Sequence, residues 1–341
     1  MKAITVTKPG TMELLEVEKP EITSPDQVLV KIHATGICGS DLHVYHGSNP
    51  YALYPRVIGH EAAGEIVAIG SGVTDLVPGD GVVLEPVTYC GQCYACKTGH
   101  HNVCRNLRVL GCIADGTFRE YMVVPRSQVY PFDRKKLTYI EASLCEPYTI
   151  GAQATWRGQV KPGDMVLVHG AGPIGLIVAD MAKDKGATVI VSEPDEARLA
   201  MAKDFGADHS INPAKDSLDD FLHKLTDGEG VNVIFEAAGV PALMAHAVGL
   251  LSPAGRLVPL SFGKEPVPIN FKEVNAKELT ILGTRHQFQK FPQVIQLLPE
   301  RLDRIHRLIT HRFPFSQYEK AFALLENHNS GAGKVILTLD E

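Results

Sequence analysis

The chain has 341 residues and a mass of 37.0 kDa, long enough for two domains of ordinary size. Apolar residues make up 45% and charged residues 21%, which excludes a disordered, collagenous or coiled-coil chain. With 33 Lys plus Arg against 39 Asp plus Glu, the net charge of −6 argues against a general polyanion binder, so nucleic acid is not an expected partner.

The start, Met1-Lys2-Ala3-Ile4-Thr5-Val6, lacks the apolar stretch of a secretory leader. Nowhere are there the ~20 uninterrupted apolar residues that span a bilayer. The most apolar window, Met165 to Ala179, is broken by His169, three glycines and Pro173. These features predict a soluble, cytoplasmic protein with no membrane partner.

The first ~150 residues are rich in Gly, Pro and Val. Gln27-Val28-Leu29-Val30-Lys31-Ile32 and Gly64-Glu65-Ile66-Val67-Ala68-Ile69 read as strands, and Pro78-Gly79-Asp80-Gly81 as a turn. This half reads as β-rich and barrel-like. Near residue 150 the pattern changes. Met165–His169 has the length of a buried strand, and a helical stretch runs from Ile174 to Asp184. Thr188–Val191, a helix over Asp195 to Phe205, and strands at His209–Ile211, Val231–Phe235, Gly255–Leu260 and Leu279–Leu282 continue the series. Strands alternating with helices predict a parallel sheet covered on both faces. From about 286 the pattern changes again, with Val335–Leu339 as a final strand.

Gly170-Ala171-Gly172-Pro173-Ile174-Gly175 matches G-x-G-x-x-G, between a predicted strand and a predicted helix. Gly170 permits a tight turn, Gly172 admits a pyrophosphate to the backbone, and Gly175 lets helix and strand pack closely. The following helix N-terminus offers free N–H groups to phosphates. The second strand ends at Ser192-Glu193, where a carboxylate can accept hydrogen bonds from an adenosine ribose and would repel a 2′-phosphate. NAD is therefore favoured over NADP, although Arg198 nearby weakens the preference slightly.

Four of the seven cysteines, Cys90, Cys93, Cys96 and Cys104, fall within fifteen residues. Four thiolates at ~2.3 Å make a closed tetrahedral zinc site, one that folds a short lobe, about residues 88–106, with little core of its own. A second set comes from separated residues: Cys38, His60, Glu61 and Glu146. A thiolate, an imidazole and carboxylates with one position open form the ligand set of a catalytic zinc, although each of these residues could also be an ordinary core or surface residue.

Together these motifs resemble the zinc-dependent medium-chain dehydrogenases over essentially the whole chain. The pieces are GICGSDLH at 36–43, GHEAAGEIVAIGSGV at 59–73, the cysteine lobe, LCEP at 144–147 and GAGPIG at 170–175. The set is closest to the polyol, sorbitol-dehydrogenase-like branch. Phe291-Pro292 and Leu308-Ile309-Thr310-His311-Arg312-Phe313 also resemble bacterial aldonate 5-dehydrogenases acting on L-gulonate or L-galactonate.

The resemblance implies an α/β protein. A GroES-like β-rich catalytic domain spans 1–150 and 286–341, and a Rossmann doubly wound parallel sheet spans 151–285. It implies two zinc ions per chain, NAD, and a dimer or tetramer. It assigns Cys38, His60 and Glu61 to the catalytic zinc. Glu146 falls where the family has a further ligand or a residue holding zinc-bound water, with Cys145 as a rival at that place. Cys112 is read, like Cys145, as a small buried apolar residue. Asp41 is placed as the acceptor that fixes the tautomer of a ligand imidazole. The implied reaction is reversible oxidation of a secondary hydroxyl of a polyol or sugar acid to a ketone. Ser40 and His43 are the implied proton relay. Tyr45, Arg56, Glu146 and Arg285 are candidates for substrate contact, although a structural salt bridge is the favoured role of Arg56. Rival classes are a threonine-type or general secondary-alcohol dehydrogenase, a zinc-free quinone or enoyl reductase on the same fold, a nucleic-acid-binding zinc protein and a non-catalytic structural protein.

Overall fold

The computed structural model describes all residues except 262–264, 328–329 and 340–341. The chain divides into two compact units, Met1–Glu146 with Phe288–Glu341, and Pro147–Gln287.

The first unit is organised around the eleven-residue strand Gln27–Ile37. Its β-branched residues Val28, Val30 and Ile32 are fully buried and form a core with Ile66, Val82 and Val124. The sheet runs in the order Val129–Pro131, Gly81–Leu84, Glu61–Ile69, Gln27–Ile37, Lys334–Thr338, Ile309–Pro314, with Tyr121–Pro125 also paired to Gln27–Ile37. Chain ends and chain middle thus share one sheet. Gln27–Ile37 pairs antiparallel with both its neighbours, and the register sets Gly36 opposite Glu61 on one side and opposite Ile336 on the other. That register brings Cys38, Glu61 and Lys334 to one end of the sheet. A smaller sheet, Thr11–Glu16, Lys2–Lys8 and Arg56–Val57, packs its apolar face into a second core with Phe118, Phe315 and Phe322.

The second unit is a six-stranded parallel sheet in the order His209–Ile211, Thr188–Ser192, Met165–His169, Val231–Glu236, Leu251–Pro259, Thr280–Ile281. Strand order reverses at Met165–His169, the arrangement that makes a crevice at the carboxyl ends of the strands. The central strands are apolar through their middles, at Val166–Val168, Val189–Val191 and Val233–Phe235, as burial on both faces favours. The helix after the glycine loop begins at Pro173, one residue before the expected start, because proline at the first helical position is already set at the right φ and lacks only a superfluous N–H. The next helix is shorter than expected, Glu196–Ala202: Asp195 caps it, its side chain accepting the Arg198 N–H at 2.9 Å. Among the described residues, no helix is long and apolar enough to cross a membrane.

Candidate active site

Cys38 leaves the central strand and caps the short helix Gly39–Tyr45. Asp41 sits on the first turn of that helix and is almost fully buried. Its Oδ2 accepts the Cys38 N–H at 2.9 Å, and its Oδ1 accepts the Gly59 N–H at 3.0 Å. One carboxylate thus ties together the two loops that carry Cys38 and His60. The same Oδ1 lies 3.4 Å from Nδ1 of His60, the relation expected of a carboxylate that orients a ligand imidazole. Nε2 is left for a metal, and Ser40 Oγ lies 3.5 Å from it.

The ligand atoms of Cys38, His60 and Glu61 all lie within 4.8 Å of one another. Burial pulls the His60 pKa down, but Asp41 and Cys38 outweigh it and hold the pKa well above its ordinary value. The pocket therefore favours a positive charge at this point, and a thiol, an imidazole and a carboxylate suit zinc with one position open. The donor set fits the metal.

Glu61 has a partner that sequence reading missed. Lys334 Nζ donates to its Oε1 at 2.6 Å and its Oε2 at 2.8 Å, with both side chains buried. Removing one member of such a buried pair costs roughly 3–5 kcal/mol, because the other charge is stranded. The available signal was a lysine opening an otherwise apolar strand, Lys334-Val335-Ile336-Leu337-Thr338. Gly36 has a matching role: a Cβ there would fall on Glu61 Oε2, so only glycine leaves room for the carboxylate.

Glu146 does not join the three-residue set, though it is buried and feels the charges of His60, Glu61, Lys334 and Asp41. Burial is the main reason its pKa is pushed up to about 7. Cys145 is completely buried and stands outside the set too; burial pushes its thiol pKa well up, which suits a packed apolar residue. Cys112 is only half-buried, with its Sγ 3.6 Å from Asn49 Oδ1, so it is not the buried packing residue expected.

The remaining candidates of this unit fall in different places. His43 is exposed, with Nδ1 2.8 Å from Ser48 Oγ. Tyr45 turns its ring inward against Phe322 at 5.9 Å, within the core of the smaller sheet. Arg56 Nη1 donates to Asp115 at 2.8 Å and its Nε donates to the Leu53 carbonyl, so its guanidinium has a structural role.

In the cysteine lobe, Cys93 Sγ lies 3.5 Å from Cys96 Sγ and 3.8 Å from Cys104 Sγ, and Cys104 lies 3.4 Å from Cys90. Sulfurs around a tetrahedral zinc at ~2.3 Å stand about 3.8 Å apart, whereas a disulfide needs ~2.05 Å. Backbone N–H groups of Cys90 and Asn106 donate to Cys104 Sγ, both at 3.3 Å, as stabilised thiolates require. The lobe has only a small core of its own, Val87 and Leu107 beside the cysteines. Zinc fits here and would supply the missing stability.

In the second unit Gly170 closes the first strand at φ +94°, a conformation that favours glycine. Gly172 caps the helix Pro173–Asp184, and the space a side chain would fill there is open, as a phosphate would need. Ile174 and Gly175 follow in its first turn, and a side chain at 175 would strike the Gly170 carbonyl. Glu193 directly follows the second strand and is buried. Its Oε2 accepts the Ala171 N–H at 2.7 Å and its Oε1 the Asp195 N–H at 3.0 Å. A carboxylate has about four acceptor sites, so capacity remains for a ribose diol. Arg198 is half-buried on the next helix. Arg285 is half-buried in the loop after Thr280–Ile281.

Two zinc-type donor sets and a dinucleotide loop on a Rossmann sheet define a class, the zinc-dependent dehydrogenases, and comparison with known proteins agrees. The alcohol dehydrogenase GroES-like domain matches residues 24–134, and the zinc-binding dehydrogenase family matches residues 173–300. The chain is 41% identical to the starvation-sensing protein RspB of Escherichia coli K12, over 100% of both chains. It is 39% identical to an L-threonine 3-dehydrogenase of Pyrococcus horikoshii over 99% of each, and 34% identical to the L-galactonate-5-dehydrogenase of E. coli K12 over 92% of this chain and 95% of that one. A crystal structure of the alcohol dehydrogenase rspB from E. coli CFT073, complexed with NADH, matches with a TM-score of 0.93 at 40% identity, over 99% of each chain. The chain belongs to the zinc-binding alcohol dehydrogenase family. It is an oxidoreductase that works with zinc and a nicotinamide dinucleotide.

Proposed function

We propose that the enzyme reversibly oxidises a secondary hydroxyl of a polyol or sugar acid to a ketone, with NAD as its dinucleotide. The observation that carries this reading is the convergence of Cys38, His60 and Glu61, with Asp41 fixing the imidazole. When bound, zinc makes an alcohol hydroxyl acidic near neutral pH, and NAD accepts the hydride.

The chain's own residues do the rest. Cys38 Sγ and His60 Nε2 would hold the metal, with Glu61 as the oxygen donor of the set and Glu146 a buried carboxylate outside it. Asp41 keeps the proton of His60 on Nδ1. Ser40 Oγ, 3.5 Å from His60 Nε2, relays the substrate hydroxyl proton, accepting it as its own hydroxyl proton moves on toward solvent. His43 is exposed on the same helix and passes a proton to solvent through its imidazole. Glu146, with its pKa near 7, can hold or release a proton at its carboxyl in the working range. Glu193 supplies acceptors to the ribose and repels a 2′-phosphate. Arg285 is the cation proposed for a sugar-acid carboxylate, a task that suits a bidentate guanidinium. Tyr45 and Arg56 are engaged elsewhere.

L-Threonine is a second reading, favoured by the 39% identity to an enzyme of that name. A screen of NAD reduction across hexitols, pentitols, aldonates and L-threonine decides. Turnover on a polyol or aldonate well above that on L-threonine supports the proposal; turnover on L-threonine alone, or on none of them, rejects it. We place the enzyme in the cytoplasm, since the clustered cysteines of the lobe are spaced as thiolates around zinc and not as disulfides, which suits a reducing compartment. We also expect a dimer or tetramer, which sedimentation would identify.

A further inference from the structure

We infer that Lys334 is a positioning residue: its ammonium occupies Glu61, weakens that carboxylate's grip on the metal, and so preserves the metal's Lewis acidity toward substrate. The inference rests on reading Cys38, His60 and Glu61 as the catalytic metal site.

Glu61 faces two claims. Its ligand oxygen lies within 4.8 Å of the Cys38 and His60 donors. Both of its oxygens also receive Lys334 Nζ, at 2.6 and 2.8 Å, while the same Nζ lies 3.4 Å from the Ile37 carbonyl. The arrangement is built into the sheet: Val335 pairs with Ile37, Ile336 with Gly36, and Gly36 with Glu61. Solvent plays little part, because the Lys334 and Glu61 side chains are only 4% and 1% exposed.

The chemistry gives this geometry a consequence. A thiolate and an unpaired carboxylate would together cancel a divalent charge and blunt the Lewis acidity of the metal. An ammonium on the carboxylate removes that cancellation and makes the oxygen a poorer donor. Packing alone does not account for the pair, since an ion pair buried this deeply is often no more stabilising than apolar residues of the same volume.

The test exchanges Co2+ into the Cys38 site, leaves zinc in the cysteine lobe, and follows release of cobalt to excess EDTA by its thiolate absorption band. Lys334→Met frees Glu61 to bind the metal, so the release half-time should lengthen by about fivefold or more. Lys334→Arg should stay within about twofold of the native protein, and Lys334→Met with Glu61→Gln should return to that range. Lengthening that persists without Glu61, or release from Lys334→Met no slower than native, overturns the inference. If Lys334→Met does not fold, the neutral pair Lys334→Gln with Glu61→Gln is used: release within about threefold of native supports the inference, and any larger change overturns it. Absence of a thiolate–cobalt band from the loaded native protein would instead reject the metal site itself.

Discussion

Asp41 and His60 are joined twice, once through the 3.4 Å approach of Oδ1 to Nδ1 and once through the Gly59 N–H that the same oxygen accepts. The carboxylate therefore fixes both the ring and the loop carrying it. Asp41→Asn keeps the shape but removes the charge. It should weaken metal binding at this site by about 10- to 100-fold, measured by chelator competition. An unchanged affinity would remove Asp41 from its orienting role.

Ser40 is the residue assigned to the first proton movement. Ser40→Ala should slow alcohol oxidation by roughly 100-fold, with the affinity for NAD nearly unchanged. Single-turnover rates and cofactor titration separate the two effects. Full turnover in the variant would exclude the relay.

Glu193 answers to two demands, since its oxygens hold the Ala171 and Asp195 N–H groups while being offered to the ribose. Glu193→Ala should weaken NAD more than NADP, shifting the preference by about tenfold, or about 1.4 kcal/mol. An equal loss for both cofactors would leave Glu193 only its loop-holding role.

His169 gives a pH prediction away from the metal. It is fully buried at the end of the first parallel strand, and among the described residues neither ring nitrogen has a hydrogen-bond partner. Burial, aided by the charge of His246, lowers its pKa from 6.5 to about 4. The folded state keeps it neutral while the unfolded chain protonates. Stability is therefore intact above pH 6.5 and falls as pH drops toward 4, by up to about 1.4 kcal/mol per pH unit. Denaturant unfolding of His169→Leu across that window should show a shallower loss than the native protein. Parallel curves would contradict the assignment.

Much of this was legible in the sequence because the signals were local. The glycine loop, its flanking strand and helix, and the four clustered cysteines each fall within a short segment, and local spacing constrains local geometry. The central strands of the series, from Met165 to Phe235, were readable because strands buried on both faces carry short apolar runs. The Glu61–Lys334 pair spans 273 residues, and only the sheet register brings its members together. A structural salt bridge was the favoured role of Arg56, but its partner Asp115 and the inward turn of Tyr45 were hidden for the same reason: a side chain's partner depends on tertiary packing that residue type does not specify. Cys38, His60 and Glu61 lay between these cases, with types that suggested a ligand set and spacing that did not prove one.

The central claim is that Cys38 belongs to a metal site on which turnover depends, separate from the cysteine lobe. Zinc analysis of native protein and of Cys38→Ser, with NAD reduction assayed on the same samples, tests it most directly. The account predicts about two zinc ions per native chain, about one in the variant, and loss of turnover with the ion that is missing. Two zinc ions retained in the variant, or turnover at the native rate with one, would contradict it.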